Sequence, residues 1–122
     1  MDEAVRQHLP LSVPVYQILL SLIDRTLHGY AVIQDVRERT GGEVELTAST
    51  LYGALPRMLD TGMVRESDPP ADLADADARR RYYKITPFGR AVARAEVERL
   101  ERALAQARTK ALWASPTRPR DA

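Results

Sequence analysis

Four stretches of the chain carry apolar residues at helical spacing. In the first, Val15, Ile18, Leu19, Leu22 and Ile23 form one stripe. Ser12 precedes it as a capping hydroxyl, and Pro14 falls in the first turn, where a missing N–H does no harm. In the second, from about Tyr30 to Thr40, Val32, Ile33 and Val36 turn inward, and Gly41-Gly42 supplies a left-handed stop. The third follows Thr47 or Ser49 as cap. It places Leu51, Leu55, Met58 and Leu59 at i, i+4, i+7 and i+8 and closes at Gly62. The fourth opens on Thr86-Pro87, a hydroxyl cap followed by proline at the first helical position, and runs to about Trp113.

Extended patterns lie between them. Glu43 to Leu46 alternates polar and apolar residues and predicts a short, half-buried strand. Met63 to Ser67 predicts a second strand, and the β-rich run Arg79 to Ile85 a third. A Pro- and Asp-rich loop, Ser67 to Ala78, joins those two. The order helix, helix, strand, helix, strand, loop, strand, helix predicts a mainly α fold with a small β-sheet (α+β). It is the layout of a winged helix-turn-helix with a long C-terminal dimerisation helix. The expected division is an N-terminal arm over 1–12, a winged-helix domain over 13–86, the dimerisation helix over 87–113 and a disordered tail over 114–122.

Composition narrows the function classes. With 122 residues, 44% hydrophobic and 29% charged, the chain holds one modest core, and with one Phe and one Trp that core is mostly aliphatic. No apolar run approaches the roughly 18 residues of a membrane span, so no membrane partner is expected. The acidic, polar start does not read as a signal peptide. The absence of cysteine excludes disulfides, thiolate metal sites and Cys nucleophiles. A cytoplasmic location is the expectation. Two distant histidines, no Gly-rich phosphate loop and no carboxylates at metal spacing leave nothing to assemble an enzyme from. No catalytic residue, metal or cofactor is therefore predicted.

The net charge of +1 hides an asymmetry: residues 1–46 carry −3, residues 47–78 carry −4 and residues 79–122 carry +8. The basic excess begins at Arg79 and admits a polyanionic partner.

The third helix contains Gly53 and Pro56, which cost about 1 and about 3 kcal/mol relative to Ala in a helix interior. With Leu51, Leu55 and Met58 inward, the outer face carries Ser49, Gly53, Pro56, Arg57 and Asp60, flanked by Thr50 and Tyr52. One reading is an exposed helix in which two poor residues are tolerated. The other is a recognition helix in a DNA major groove. There Gly53 permits close approach, Ser49, Thr50 and Tyr52 donate hydroxyl hydrogen bonds, and Arg57 supplies charge.

Three stretches together resemble the PadR family of bacterial transcriptional regulators. They are LLSLIDRTLHGYAVIQDV (Leu19 to Val36), LTASTLYGALPRMLDTGMV (Leu46 to Val64) and RRRYYKITPFGR (Arg79 to Arg90). The resemblance covers about residues 13–112. It implies a winged-helix DNA-binding domain, a homodimer formed through the C-terminal helix, and repression of an inverted-repeat operator, usually relieved by a small hydrophobic or aromatic inducer. This chain departs from the pattern at Pro56, where a polar or basic residue is expected, and in a wing loop rich in aspartate (Asp68, Asp72, Asp75, Asp77).

Around that helix, Arg79, Arg80 and Arg81 are candidates for phosphate or minor-groove contact, or for salt bridges to the wing's own aspartates. Strand alternation sends Arg80 to the face opposite its two neighbours, and splits Tyr82 and Tyr83 between core and surface. His28, at the junction before the second helix, reads first as a turn residue near the domain surface and alternatively as one that approaches a phosphate; Tyr30 beside it is a candidate DNA contact, while His8 sits in a mobile arm without a visible partner. In the last helix Ala93, Val97, Leu100, Leu104, Ala107 and Ala111 recur at heptad spacing. Val97, Leu100, Leu104, Ala107 and Ala111 are the predicted dimer seam. Trp113 is placed to stack on a flat ligand between subunits, as in multidrug-binding relatives, although its position at a frayed end favours packing. The alternative function is a winged-helix docking module for another protein, without DNA binding. The acidic wing and the lack of Asn or Gln on the third helix favour that alternative. The basic step at Arg79 and the Thr50-Leu51-Tyr52 turn oppose it.

Overall fold

The computed structural model describes residues 2–71, 80–110 and 112. The helices are α1 (Glu3–Arg6), α2 (Val13–Ser21), α3 (Gly29–Arg39), α4 (Ala48–Asp60) and α5 (Pro87–Thr109), and the strands are β1 (Leu27–His28), β2 (Val64–Ser67) and β3 (Tyr82–Ile85). The predicted caps act as such. Ser12 Oγ accepts the Val15 N–H, Thr47 Oγ1 accepts the Thr50 N–H, and Thr86 Oγ1 accepts the Gly89 N–H. Gly41 and Gly42 take positive φ at the end of α3, with the Gly42 N–H donating to the Arg37 carbonyl.

The core is the meeting of the helical stripes. Ile18, Leu19, Leu22, Val32, Val36, Leu51, Leu55 and Met58 are buried, together with Val64, Ile85, Val92 and Ala93. Each such side chain contributes roughly 1.5–3 kcal/mol. Two polar ties fix the helices relative to one another. Asp35 on α3 accepts from Ser21 Oγ at 2.7 Å and from Arg39 Nε at 2.8 Å, while Arg39 also reaches Gln17 and Ser21 on α2. Burial pushes the Asp35 carboxyl up, but the hydrogen bonds from Arg39 and Ser21 and the charges of Arg39 and Arg25 outweigh it and hold it below its ordinary value. Just past the C-terminal end of α2, Arg90 Nη2 donates to the Ile23 carbonyl at 2.6 Å.

The antiparallel sheet has the order β1-β3-β2. Two expectations fail here. Glu43 to Leu46 is not a strand. Its alternation is satisfied by Leu46 entering the core from the connection between α3 and α4, where the Val44 N–H and carbonyl bond to the Thr40 hydroxyl instead of to a strand. The third strand is instead Leu27–His28, a two-residue segment on which Leu27 pairs with Tyr83 and His28 with Tyr82. Tyr83 joins the core, as alternation allows. Tyr82, expected at the surface if its neighbour is inside, is also buried, with the His28 ring edge-on to it at 5.4 Å.

Residues 2–12 of the arm pack on the domain. Asp2 caps α1, Val5 is buried, α1 lies against α5, and His8, expected to lack a partner, meets Phe88 edge-on at 5.7 Å. Glu96, 3% exposed, clamps this arm. It accepts the Leu11 N–H at 3.3 Å and two bonds from Arg99 at 2.9 and 2.7 Å. The Arg99 hydrogen bonds lower the Glu96 carboxyl below its ordinary value against the opposing effect of burial, helped by the Leu11 N–H. At the start of α5, Gly89 lies so close to the Met63 carbonyl that a Cβ there would overlap it.

Candidate nucleic-acid interface

Helix α4 turns Leu51, Leu55 and Met58 inward and leaves Ser49, Thr50, Tyr52, Gly53, Pro56, Arg57 and Asp60 exposed. The two helix-breaking residues therefore sit on the outer side, as the sequence pattern predicts. A Cβ added at Gly53 would meet nothing within 4 Å, so packing within the chain does not require glycine there. The Arg57 guanidinium makes no hydrogen bond or ion pair among the described residues. Thr50 Oγ1 accepts from Thr47 Oγ1 at 3.0 Å, which fixes the hydroxyl at the start of the helix.

Tyr52 departs from a simple outward pose. Its ring is half exposed, but its hydroxyl lies against Gly29, so closely that a Cβ on Gly29 would overlap it. The glycine of the His28-Gly29-Tyr30 junction thus makes room for the α4 tyrosine. Between them opens a cleft of about 340 Å³. It is lined by His28, Tyr30 and Tyr52 on one side and by Arg80, Arg81 and Tyr83 on the other. The wing root and the helix-turn-helix residues, remote from one another in sequence, thus converge on one surface.

Arg80 and Arg81 both face this cleft. The expected alternation does not separate them, because β3 begins only at Tyr82 and the pleat does not extend back to the arginines. Arg81 Nη1 lies 3.5 Å from Glu66 Oε2 across the hairpin, an exposed pair of little energetic weight. Arg80 Nη1 lies 2.6 Å from His28 Nε2. His28 also caps α3, its Nδ1 accepting the Ala31 N–H at 3.2 Å. Burial and then the Arg80 charge lower the His28 imidazole below its ordinary value. Burial, and after it the Glu66 charge, raise the Tyr83 phenol. Tyr83 lines the cleft although the sequence pattern only splits it and Tyr82 between core and surface; no motif in the sequence distinguishes the two.

Of the remaining predicted positions, Val97, Leu100 and Leu104 are 37%, 39% and 38% exposed along α5, and Ala107 is partly buried. Next to their base, Leu20 and Ile23 of the α2 end join Ala93 and Val97 in an apolar groove. Arg79, Ala111 and Trp113, with the loop aspartates Asp72, Asp75 and Asp77 and the tail, lie outside the described residues. Among the described residues no group of three His, Cys, Asp or Glu is placed to hold a metal ion, and no helix is long and apolar enough to cross a membrane.

Comparison with known proteins supplies the context. Residues 18–95 match the model of the transcriptional regulator PadR-like family. The fold is similar to that of a transcriptional regulator from Clostridium thermocellum, at 22% identity and a TM-score of 0.67 over 94% of this chain and 98% of that one. It is similar also to a PadR family transcriptional regulator from Eggerthella lenta, at 25% identity and a TM-score of 0.59 over 93% and 88% of the two chains. A curated relative from Lysinibacillus sphaericus, named uncharacterized protein X, is 27% identical over 74 residues, and the match spans 65% of its length.

Proposed function

Because the chain belongs to the transcriptional regulator PadR-like family, whose members are regulators and not enzymes, we propose that it is a sequence-specific DNA-binding repressor. It acts as a homodimer on an inverted-repeat operator. The observation that carries this reading is the outer face of α4. The Ser49 and Thr50 hydroxyls, the bare Gly53 and an Arg57 without a partner among the described residues lie exposed there, beside a cleft that collects Arg80 and Arg81. In the DNA complex α4 enters the major groove. Gly53 brings the backbone close, Ser49 and Thr50 reach base edges or phosphates, and Arg57 reads or anchors. Arg80 and Arg81 neutralise phosphates beside the groove, with His28 and Tyr30 next to them.

The homodimer reading rests on the half-exposed Val97, Leu100 and Leu104 seam of α5 and on its continuation into the groove at Leu20 and Ile23. The deciding measurement is affinity for random and operator duplexes across a salt series. A DNA regulator loses affinity linearly in log–log coordinates, with a slope of about −0.9 per phosphate neutralised. Arg57→Ala reduces discrimination between operator and random DNA, whereas Arg81→Ala weakens both. A flat, weak response at low salt would instead identify a protein-docking module, the reading favoured by the Glu66 partner of Arg81 and by the absence of Asn and Gln on the outer face of α4.

A further inference from the structure

The cleft between α4 and the wing root contains an unresolved hydrogen-bond conflict. A neutral imidazole has one acceptor nitrogen, and guanidinium is a donor only. His28 nevertheless presents both ring nitrogens to donors, Nδ1 to the Ala31 N–H and Nε2 to Arg80 Nη1. Whichever tautomer is present, one N–H faces another N–H. Protonating the ring makes the conflict worse, since both nitrogens then carry hydrogens.

A second observation is independent of the first. Tyr83 is only 5% exposed and lines the cleft, yet its hydroxyl has no hydrogen-bond partner among the described residues. A buried phenol of this kind normally finds one. The residue lines the cleft, and no side-chain oxygen of the described residues is both sealed from solvent and unpartnered. Arg81 lines the same wall, and the first turn of α3, with its positive dipole end, forms the floor at Gly29 and Tyr30. Donors line the space, none of the cleft's described lining residues is a carboxylate, and Glu66 beside it lies 3.5 Å from Arg81.

We infer that this cleft is a preformed seat for one phosphate-type oxyanion, held by Arg80, the His28 Nε2–H and the Tyr83 hydroxyl. An oxyanion oxygen accepts from Arg80 and His28 together and so removes the donor–donor conflict. A second oxygen accepts from Tyr83. Ala31 keeps its cap, because the anion fixes the tautomer that leaves Nδ1 as acceptor. The seat takes either a backbone phosphate of DNA or free phosphate, and it rests on the regulator reading only for the first of these sources.

The test is an NMR titration of the His28 imidazole in the full chain, in inorganic phosphate and in chloride at matched ionic strength. His8, packed on Phe88, supplies a reference resonance. Bound phosphate raises the His28 midpoint by on the order of one unit, saturably. Arg80→Gln abolishes the rise, and Tyr83→Phe weakens phosphate about tenfold, the loss of one hydrogen bond to a charged group. A second arm replaces phosphate with a random duplex. A rise in both arms, or with phosphate alone, supports the seat and makes free phosphate a competitor or ligand. A rise with the duplex alone supports it as a seat for a diester. Identical midpoints in chloride, phosphate and duplex overturn it. If the duplex binds with the expected salt slope while neither it nor phosphate moves His28, the seat fails and the regulator stands. If phosphate moves His28 but no duplex binds, the seat stands and the regulator reading fails.

Discussion

Gly53→Ala separates a helix that merely tolerates glycine from one that needs it. The backbone at Gly53 is helical, and an added methyl meets nothing within 4 Å. The substitution therefore carries no steric penalty in the free protein. Replacing glycine by alanine in a helix interior stabilises by about 1 kcal/mol. For a chain of this size that raises the melting temperature by roughly 3–6 °C. If α4 lies in a major groove with Gly53 at the closest approach, the same methyl collides with DNA. Overpacking a tight contact costs typically 1–3 kcal/mol, so operator affinity falls by about tenfold or more. The two effects have opposite signs, which makes the pair diagnostic. Differential scanning calorimetry of the free protein and fluorescence anisotropy with a labelled operator duplex read them separately. A stabilised protein with unchanged operator affinity would refute the groove assignment of this face. A destabilised protein would refute the steric argument itself.

Gly89→Ala behaves in the opposite way: its methyl would press on the Met63 carbonyl, a backbone atom that cannot swing aside, so unfolding at lower denaturant, by 1–3 kcal/mol, is expected. An unchanged midpoint would show that α5 can shift away from the sheet. Pro56→Ala restores a backbone donor in α4 and stabilises the fold by about 1–3 kcal/mol, read as a higher denaturant midpoint; no gain would mean that the chain has relaxed around the ring. Glu96 gives a pH prediction. Its folded value is depressed by the Arg99 hydrogen bonds, so its contribution is complete above the ordinary glutamate range and is lost as pH falls through the depressed value. Glu96→Gln should flatten the acid limb of stability against pH, and an unaltered slope there would remove the clamp from the account. Leu100→Glu with Leu104→Glu should give monomers by sedimentation velocity while leaving the helical circular dichroism in place; a persistent dimer would place the interface elsewhere.

Helix ends were the most legible part of this chain, because caps act locally. Ser12, Thr47 and Thr86 each cap the helix that the sequence assigns to them, and Gly41-Gly42 stops α3 as predicted. Strand pairing was less legible, because it depends on a partner remote in sequence. Val44 and Leu46 alternate correctly yet have no strand to join, while Leu27 and His28 form β1 on only two residues, too few to show a period. Helix α1 is four residues long and escapes for the same reason. The outer face of α4 was readable because one helical period fixes all its members. The cleft was not, since it depends on the turn at Gly29 and on where β3 begins, which decide that Arg80, Arg81 and Tyr83 meet Tyr52.

How α4 carries both a glycine and a proline follows from which side bears the load. Leu51, Leu55 and Met58 are between 0% and 3% exposed, and each contributes roughly 1.5–3 kcal/mol by burial. Gly53 and Pro56 cost about 1 and about 3 kcal/mol, less than the three anchors together supply. Thr47 holds the start of the helix. At its end the Thr61 N–H and hydroxyl both bond to the Arg57 carbonyl. The helix is therefore fixed from behind and at its ends, and its outer face is released from any part in folding. On that face, side-chain volume and charge can be set by what approaches from outside. Removing the anchors, by contrast, would unfold the helix before any partner arrived. Loss of binding in a Leu55→Ala variant would thus report on stability, whereas loss in Gly53→Ala, which folds at least as well, reports on contact.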